Sequence, residues 1–381
     1  PILKRNDLMK ILFACGGTGG HINPAISVAN YIKERNPDVN ILFVGNPRGM
    51  EARLVPQAKF KFETVDIMGF ERKICFRNFK HNLKAAKCLL TCNKRAKEII
   101  TKFNPDVVVG TGGYVSGPIL LTANKLGYKT VAHEQNAYPG VSNKLNFKFA
   151  DKILLAVEDA KKYLPDGKDY IVTGNPVREE IIMANRQMAR EKLKIGNRKC
   201  ILTFGGSLGA NKINEAVADI MQWHQKREDV YHIHATGKRG FDDFYELLKA
   251  RNVDPEKINH IEIREYIDDM ADCLAAADLV ISRSGALSLS EIQAAGKASI
   301  LIPSPNVAEN HQYHNAKVMA DKNAAYLIEE KNLNKETICE AIEKLILDDK
   351  LRNEIAKNAA EMAYLDANKR ISDNILDLIK K

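Results

Sequence analysis

The sequence lacks the motifs that mark several common nucleotide and metal sites. It has no G-x-x-x-x-G-K-[ST], which excludes a P-loop, and neither H-E-x-x-H nor Asp-x-Asp occurs. Neither of its two strand-following glycine loops is G-x-G-x-x-G. The second apolar run ends in Asn46 instead of an acid, so a nicotinamide dinucleotide site is not predicted. Without paired carboxylates for a metal, any diphosphate has to be held by backbone amides, helix dipoles and Arg or Lys.

The printed residues also lack the patterns that predict cysteine pairs, a leader segment or a membrane span. The seven cysteines are scattered, with no C-x-x-C and no partners at zinc-ligand spacing, which indicates reduced cytosolic thiols. The longest uncharged run, 107–124, contains four glycines and Pro118, which favours a strand, a loop and a helix start over a membrane span. No apolar leader precedes Met9, and residues 1–8 are expected to form a disordered extension.

Positive charge is abundant and concentrated in one segment. The net charge is +9, and residues 71–102 hold ten Lys and Arg against two Glu. Within this segment apolar residues recur at helical spacing, namely Phe79, Leu83, Ala86 and Leu90. The pattern predicts a basic amphipathic helix suited to an anionic membrane surface or a phosphate-bearing ligand. The alternative is a core-packed helix with a solvated lysine face.

Apolar runs alternate with helical patterns along the 381 residues, and this alternation predicts α/β domains with parallel sheets. The runs are 10–15, 40–45, 106–110, 128–133, 152–156 and 169–173, followed by 199–204, 230–235, 258–263, 278–282 and 298–302. The strand and glycine loop at 199–210 repeat those at 10–20. We therefore predict two Rossmann-like, doubly wound parallel-sheet domains in tandem with an interdomain cleft. The first comprises residues 9–173 and 366–381, and the second residues 174–365.

The most informative stretch is Gly16-Gly17-Thr18-Gly19-Gly20-His21, directly after the apolar run 10–15. Glycines let a backbone approach a ligand closely, and a helix predicted from Pro24 adds partial positive charge at its N-terminus. His21 is expected at the carboxyl end of a strand, where open α/β sheets bind ligands. The alternative is a tight turn with a surface histidine.

Polar or glycine-rich residues follow further predicted strands, at 110–118, 133–136, 174–178, 282–291 and 308–316. Arg178 in the third stretch can bind a phosphate with two hydrogen bonds or form a hinge salt bridge. In the fourth, serines and Gly285 precede a helix and leave amides for an anion, while Glu291 can accept hydrogen bonds from a ribose diol.

Seven of these motifs together resemble the MurG family of bacterial cell-wall synthesis. They are GGTGGH (16–21), GTGGYVSGP (110–118), HEQN (133–136), GNPVR (174–178), GGSLGA (205–210), SRSGALSLSE (282–291) and NHQYHNA (310–316). The resemblance implies two domains of the GT-B type. It also implies transfer of N-acetylglucosamine from UDP-GlcNAc to lipid I, the undecaprenyl-diphospho-muramoylpentapeptide, to give lipid II for peptidoglycan synthesis.

The resemblance assigns roles to individual residues, and in the family the second domain holds the sugar nucleotide. Ser207 and Arg178 would face the diphosphate, Ile267 would meet the uracil through its backbone, and Gln312 would contact the sugar. The nucleotide would be surrounded by Ala286, Leu287, Ser288, Leu289, Ser290 and Glu291, with Glu291 on the ribose. From the first domain, the donor sugar or the acceptor would be contacted by Thr18, Gly19, Gly20 and Asn136. Some members carry glutamine at the position of His311, so only Gln312 is assigned.

Inverting transfer needs a base for the acceptor hydroxyl and stabilisation of departing UDP. His21 is the first base candidate and Glu134 the second, while Arg178, the Ser207 loop and the helix near Ser284 would stabilise UDP. We expect neither a metal nor a cofactor.

The acceptor is a membrane lipid, so residues 70–102 are expected to dock the enzyme peripherally on the anionic cytoplasmic face of the cell membrane. The resemblance also points to partner proteins of cell-wall synthesis, and nucleic acid is not expected. The rival functions are a glycolipid synthase, a UDP-GlcNAc epimerase, a basic nucleic-acid-binding protein and a paralogue without catalysis.

Overall fold

The computed structural model describes residues 8–67, 76–206 and 208–380, without the side chains of 76–87, 89 and 90. The predicted extension 1–8 therefore lies outside the described residues apart from Leu8. The chain forms two compact units. One runs to Pro176 and includes the chain from Asp366 onward, and the other is Val177–Leu365.

The first unit is a seven-stranded parallel sheet in the order β3-β2-β1-β4-β5-β6-β7. The central strands are almost entirely buried, since the crossover helices cover both faces of the sheet. Its strands are β1 Lys10–Cys15, β2 Asn40–Gly45, β3 Lys61–Thr64, β4 Val107–Gly112, β5 Lys129–Glu134, β6 Lys152–Leu155 and β7 Ile171–Val172. Its helices are α1 Gly19–Arg35, α2 Glu51–Gln57, α3 Phe76–Phe103, α4 Gly113–Lys125 and α5 Val141–Asn146.

The second unit is a six-stranded parallel sheet in the order β10-β9-β8-β11-β12-β13. Its strands are β8 Lys199–Phe204, β9 Val230–Ala235, β10 Ile261–Arg264, β11 Leu279–Ser282, β12 Ala298–Leu301 and β13 Tyr326–Leu327. Its helices are α6 Glu179–Met183, α7 Arg186–Lys192, α8 Asn211–His224, α9 Phe241–Ala250, α10 Met270–Ala276, α11 Ala286–Ala294, α12 His311–Asp321, α13 Lys335–Leu347 and α14 Asp349–Glu361. The tandem α/β architecture predicted from the alternation is confirmed.

The last helix, α15 Ala367–Lys380, belongs to the first unit. Ile371 and Ile375 are buried in the same apolar cluster as the central strands of that sheet. On the surface of the cluster, the Ser27 hydroxyl of α1 donates to Asn368 at 3.1 Å. The C-terminus of the chain therefore packs against α1, although more than 180 residues of the second unit intervene.

From Phe76 onward, the basic segment lies in the long helix α3, as the spacing predicts. Its C-terminal half packs on the first sheet, because Cys92, Ala96, Ile99 and Ile100 are buried. The predicted apolar face at 79–90 and the lysines beside it lie outside the described side chains. Across the described ranges, every helix is too short or too polar to cross a lipid bilayer.

Candidate active site

The glycine loop after β1 leads into helix α1, which begins at Gly19 rather than at Pro24 as predicted. The helix starts early because the Thr18 carbonyl accepts hydrogen bonds from the amides of His21 and Ile22, at 3.0 and 3.2 Å. His21 therefore lies in the first turn of α1, beyond the carboxyl end of β1. Thr18 and Gly20 are exposed and Gly19 is half-buried, so this turn is accessible to a ligand.

The buried carboxylate of Glu51, which the sequence did not reveal, supports the start of this loop. Its oxygens accept hydrogen bonds from the amides of Gly17 and Asn46, at 3.2 and 2.9 Å. Cβ atoms placed on Gly16 and Gly45 would each lie 2.4 Å from an atom of the Glu51 side chain. Two of the glycines are thus explained by the room that Glu51 needs.

The imidazole of His21 has defined neighbours in the same domain. Its Nδ1 lies 3.0 Å from Oε1 of Gln135, and its backbone carbonyl accepts a 2.7 Å hydrogen bond from the Thr111 hydroxyl. A Cβ atom placed on Gly112, where φ is 108°, would lie 2.7 Å from Nδ1 of His21. The second glycine loop of this domain therefore provides the space for the His21 ring.

Glu134, at the end of β5, is buried and fully engaged in hydrogen bonds. Oε1 accepts from the amide and the side chain of Asn136 at 2.9 and 3.0 Å. Oε2 accepts from the Gly140 amide and the Asn143 side chain at 3.3 and 2.9 Å. These contacts shape the turn that carries Asn136 and occupy both oxygens of the Glu134 carboxylate.

A chain of polar groups continues from His21 through the buried side chains of Gln135 and His133. The Gln135 side-chain nitrogen contacts Nδ1 and the backbone carbonyl of His133, at 2.9 and 3.1 Å. Nε2 of His133 lies 3.3 Å from the carbonyl oxygen of Gly174, and burial lowers the pKa of His133 to about 4. The Gln135 carbonyl accepts from Asn175 at 3.0 Å, so Gly174 and Asn175 contact the motif at 133–136 within the first domain.

In the second domain, Arg178 and Glu291 are brought together. Nε of Arg178 lies 2.9 Å from Oε1 of Glu291, and the arginine is half exposed. Burial raises the pKa of Glu291, and the neighbouring Arg178 partly offsets this rise. Arg178 thus forms a salt bridge, which was the alternative to phosphate binding in the sequence analysis. Its partner is Glu291, the residue predicted to bind the ribose.

Helix α11 begins at Ala286, and Gly285 separates its start from the buried residue Ser284. Among the described residues, the Ser284 hydroxyl has no hydrogen-bond partner. A helix N-terminus presents unpaired amides and partial positive charge, and a buried hydroxyl beside it offers a further donor. The start of α11 therefore has the donors that an anionic ligand requires.

The other residues predicted to contact the nucleotide or the sugar differ in how far their side chains are exposed. The side chains of Ile267 and Leu289 are buried in the core, so only their backbones can meet a ligand. Ser290 donates to the Ala286 carbonyl of its own helix at 3.0 Å, and Leu287 and Ser288 are half-buried. Gln312 accepts from the Ser304 amide at 2.9 Å. Ser207 lies outside the described residues.

The glycine loop after β8, at 205–210, makes close backbone contacts next to Ser207. At Gly209, where φ is 78°, an added Cβ would lie 2.2 Å from the Thr236 carbonyl oxygen. At Gly237 an added Cβ would lie 2.2 Å from the Gly209 amide nitrogen. The loop after β8 is therefore packed against the loop after β9, as two adjacent strand ends of one sheet.

Comparison with known proteins agrees with this arrangement. Glycosyltransferase family 28 models match the chain, the N-terminal domain at residues 11–155 and the C-terminal domain at 200–371. A relative from Acetivibrio thermocellus is 42% identical over 98% of this chain and 99% of its own length. Its name is UDP-N-acetylglucosamine–N-acetylmuramyl-(pentapeptide) pyrophosphoryl-undecaprenol N-acetylglucosamine transferase. The crystal structure of Acinetobacter baumannii MurG is 28% identical, with a TM-score of 0.77 over 97% of this chain and 99% of that one.

The chain belongs to the MurG family. The resemblance to this family, predicted from the seven motifs, is confirmed. The protein is therefore a glycosyltransferase. The fold alone is less specific: UDP-GlcNAc 2-epimerase from Neisseria meningitidis has a TM-score of 0.64 at 15% identity, covering 97% of this chain and all of its own. The distinction between MurG members and such epimerases therefore rests on the sequence.

Proposed function

We propose that this protein transfers N-acetylglucosamine from UDP-GlcNAc to lipid I and so forms lipid II. The observation that carries this proposal is the 42% identity, over nearly the full length of both chains, to a transferase named for that reaction. The acceptor hydroxyl attacks the anomeric carbon, the bond to UDP breaks with inversion, and the hydroxyl proton passes to a base. Peptidoglycan synthesis is the process that such a product serves.

The second domain is proposed to hold UDP-GlcNAc. The α11 N-terminus and the Ser284 hydroxyl would receive diphosphate oxygens, together with Arg178 and the loop containing Ser207. Glu291 would bind the ribose, for which it must exchange part of its contact with Arg178. Gln312 would contact the sugar, and the backbone of Ile267 the uracil.

The first domain is proposed to hold the acceptor, with His21 as base. Added Cβ atoms on Gly19 and Gly20 would make only ordinary contacts, at 3.5 and 3.6 Å, within the protein. Packing therefore does not require glycine at either position, and close approach of a ligand is the remaining reason for it. Thr18 and Asn136 would complete this surface.

The reaction is tested by incubating the purified protein with radiolabelled UDP-GlcNAc and a lipid I analogue. We expect labelled disaccharide-lipid that forms only when the acceptor is present. A matched reaction without acceptor should leave the nucleotide sugar unchanged. A 2-epimer arising from UDP-GlcNAc alone would identify an epimerase and contradict the proposal.

The role of His21 is tested with His21→Gln. Loss of a general base typically lowers turnover by about a hundred- to ten-thousand-fold. The affinity for UDP-GlcNAc should stay close to that of the unchanged protein, because the donor contacts lie in the other domain. Normal turnover would remove His21 from the role.

We also propose that the protein acts at the cytoplasmic face of the cell membrane and docks through residues 70–102. The support is the concentration of positive charge there, together with a long helix that carries it. An acceptor anchored in a lipid leaflet requires the enzyme to approach that surface. Protein partners in cell-wall synthesis stay a prediction from the resemblance.

A further inference from the structure

We propose that Gln135 and His133 are positioning residues that hold His21 in one tautomer, with hydrogen on Nδ1 and a lone pair on Nε2. This inference deepens the proposed function and rests on it, because the tautomer has a catalytic purpose only if His21 is the base. The argument runs along a line of hydrogen bonds from Gly174 to His21. Each step follows from which atoms can donate and which can only accept.

The first step fixes the tautomer of His133. Its Nε2 faces the carbonyl oxygen of Gly174, at 3.3 Å, and a carbonyl oxygen can only accept. Nε2 of His133 therefore carries hydrogen. Burial keeps this imidazole neutral near pH 7, with a pKa lowered to about 4. Nδ1 of His133 is consequently an acceptor.

The second step fixes the orientation of the Gln135 amide. The group facing His133 contacts two acceptors, Nδ1 at 2.9 Å and the backbone carbonyl at 3.1 Å, so it must be the NH₂. A flipped amide would place its oxygen against both acceptors. Gln135 is buried, with 1% of its surface exposed, and such a mismatch would cost about 1–3 kcal/mol.

The third step follows for His21. The oxygen of Gln135 faces Nδ1 of His21 at 3.0 Å, so Nδ1 has to donate a hydrogen. A neutral imidazole carries one hydrogen, which leaves Nε2 as the acceptor. Thr111 holds the His21 backbone and Gly112 makes room for the ring. The base nitrogen is thereby defined before any substrate binds.

A neutral amide is suited to this position. A carboxylate would orient the imidazole equally well, as in catalytic triads, and would also place negative charge beside it. The proposed substrates both carry diphosphates, which a nearby carboxylate would repel. Gln135 provides orientation without that repulsion.

The test is ¹⁵N NMR of the full-length protein labelled on histidine imidazoles, with His21→Gln used to assign the His21 signals. Protonated and unprotonated ring nitrogens have well-separated shifts. We expect Nδ1 of His21 to be protonated and Nε2 unprotonated in the unliganded protein near pH 8. Gln135→Leu should give a tautomer mixture and lower kcat at least about tenfold, with the KM for UDP-GlcNAc unchanged.

Two further variants sharpen the result. Gln135→Glu retains an acceptor for Nδ1 of His21 and should keep the single His21 tautomer, while its second oxygen removes the hydrogen bonds to His133. Gln187→Leu, at an exposed position of the second domain, should leave the His21 shifts as they are. Hydrogen on Nε2 in the unchanged protein, or the same tautomer in Gln135→Leu, would overturn the proposal.

The unchanged protein alone tests the tautomer, so the experiment does not depend on whether a variant folds. The result is also separable from the proposed function. Full turnover of His21→Gln would refute the base role, whatever the NMR shows. Conversely, an inactive His21→Gln with the wrong tautomer in the unchanged protein would refute the positioning role alone.

Discussion

The imidazole of His21 occupies space that a side chain at position 112 would fill, and Gly112 has none. The residue adopts φ 108°, where L side chains are strained, and an added Cβ would lie 2.7 Å from Nδ1 of His21. Gly127 has a similar φ of 83°, but an added Cβ there would meet nothing within 4 Å. Substitution of either glycine strains the backbone, but only substitution of Gly112 also displaces the His21 ring. A comparison of the two variants therefore separates the two effects.

We therefore expect Gly112→Ala to lower turnover far more than Gly127→Ala, by about tenfold or more for a ring shifted near 1 Å. Both variants should lose about 1–3 kcal/mol of unfolding free energy through backbone strain. Steady-state kinetics and urea unfolding measure the two effects. Equal turnover in the two variants would show that the His21 position is insensitive to Gly112.

The motifs were predicted at the residue scale, but their internal contacts could not be. His21, Glu134 and Arg178 were recognised because their residue types follow strand ends. The partners Glu51 and Gln135 are 34 and 114 residues from the groups that they contact, Gly17 and His21. Such contacts depend on sheet order and on side-chain rotamers, which a local pattern does not specify.

At the scale of elements, long buried strands were predicted closely, whereas two of the four edge strands were missed. β1, β2, β8 and β9 have the predicted bounds, because a buried parallel strand is a continuous apolar run. β3 and β13 escaped prediction. β13 has only two residues, and β3 is a partly exposed edge strand with charged residues. Their pairing is determined by neighbouring strands, not by their own composition.

A row of buried histidines joins helix α8 to strand β9 in the second domain. His224 contacts His232 at 2.8 Å, and the Thr203 hydroxyl lies between His232 and His234, at 2.9 and 2.8 Å. Burial lowers the pKa of His224 and of His234 to about 3, and that of His232 as well. These histidines are therefore neutral in the folded protein at any mildly acidic pH.

Acid should consequently destabilise the second domain. The folded pKa values lie below the unfolded value near 6.5, so the stabilisation is complete above pH 6.5 and is lost as pH falls towards 3. At pH 5 the loss is about 2 kcal/mol for each histidine. Trp223, the single tryptophan, adjoins His224 and reports unfolding by its fluorescence.

His234→Asn should reduce this pH dependence by one histidine's share, whereas Gln187→Leu, which changes an exposed residue without a titratable side chain, should leave it unchanged. Urea unfolding at pH 7.5 and pH 5 measures both. A free energy of unfolding that is the same at the two pH values would contradict the assignment of neutral buried histidines.

At the scale of the whole molecule, charge is distributed unevenly between the two domains. Residues 71–102 account for nearly all of the +9 net charge. In the described half of α3, Arg95 pairs with Glu63 at 2.8 Å, so part of the charge serves the first domain's own surface. Composition predicted the charged helix, but it could not tell which half packs on the sheet.

Binding to vesicles with anionic lipid should depend on the other half of α3. The lysines to reverse are Lys80, Lys84 and Lys87. At about 1 kcal/mol for each lysine near an anionic surface, changing all three to Glu should weaken binding at least about a hundredfold. Added salt should weaken binding of the unchanged protein.

The matched control reverses three exposed lysines of the second domain, Lys226, Lys249 and Lys350. It changes the net charge equally and should retain most of the binding. Co-sedimentation at several salt concentrations measures each variant. Equal losses in both triple variants would indicate a general charge effect instead of a docking surface.

The Glu51 carboxylate has a consequence for how this sequence can change over time. Added Cβ atoms on Gly16, Gly45 and Gly49 would each come within 2.4 Å of its side chain. No one of the three glycines can gain a side chain while Glu51 keeps its length and position. In the evolution of the family, we therefore expect these four positions to vary as a set, with larger residues at the glycines only where the glutamate has been replaced.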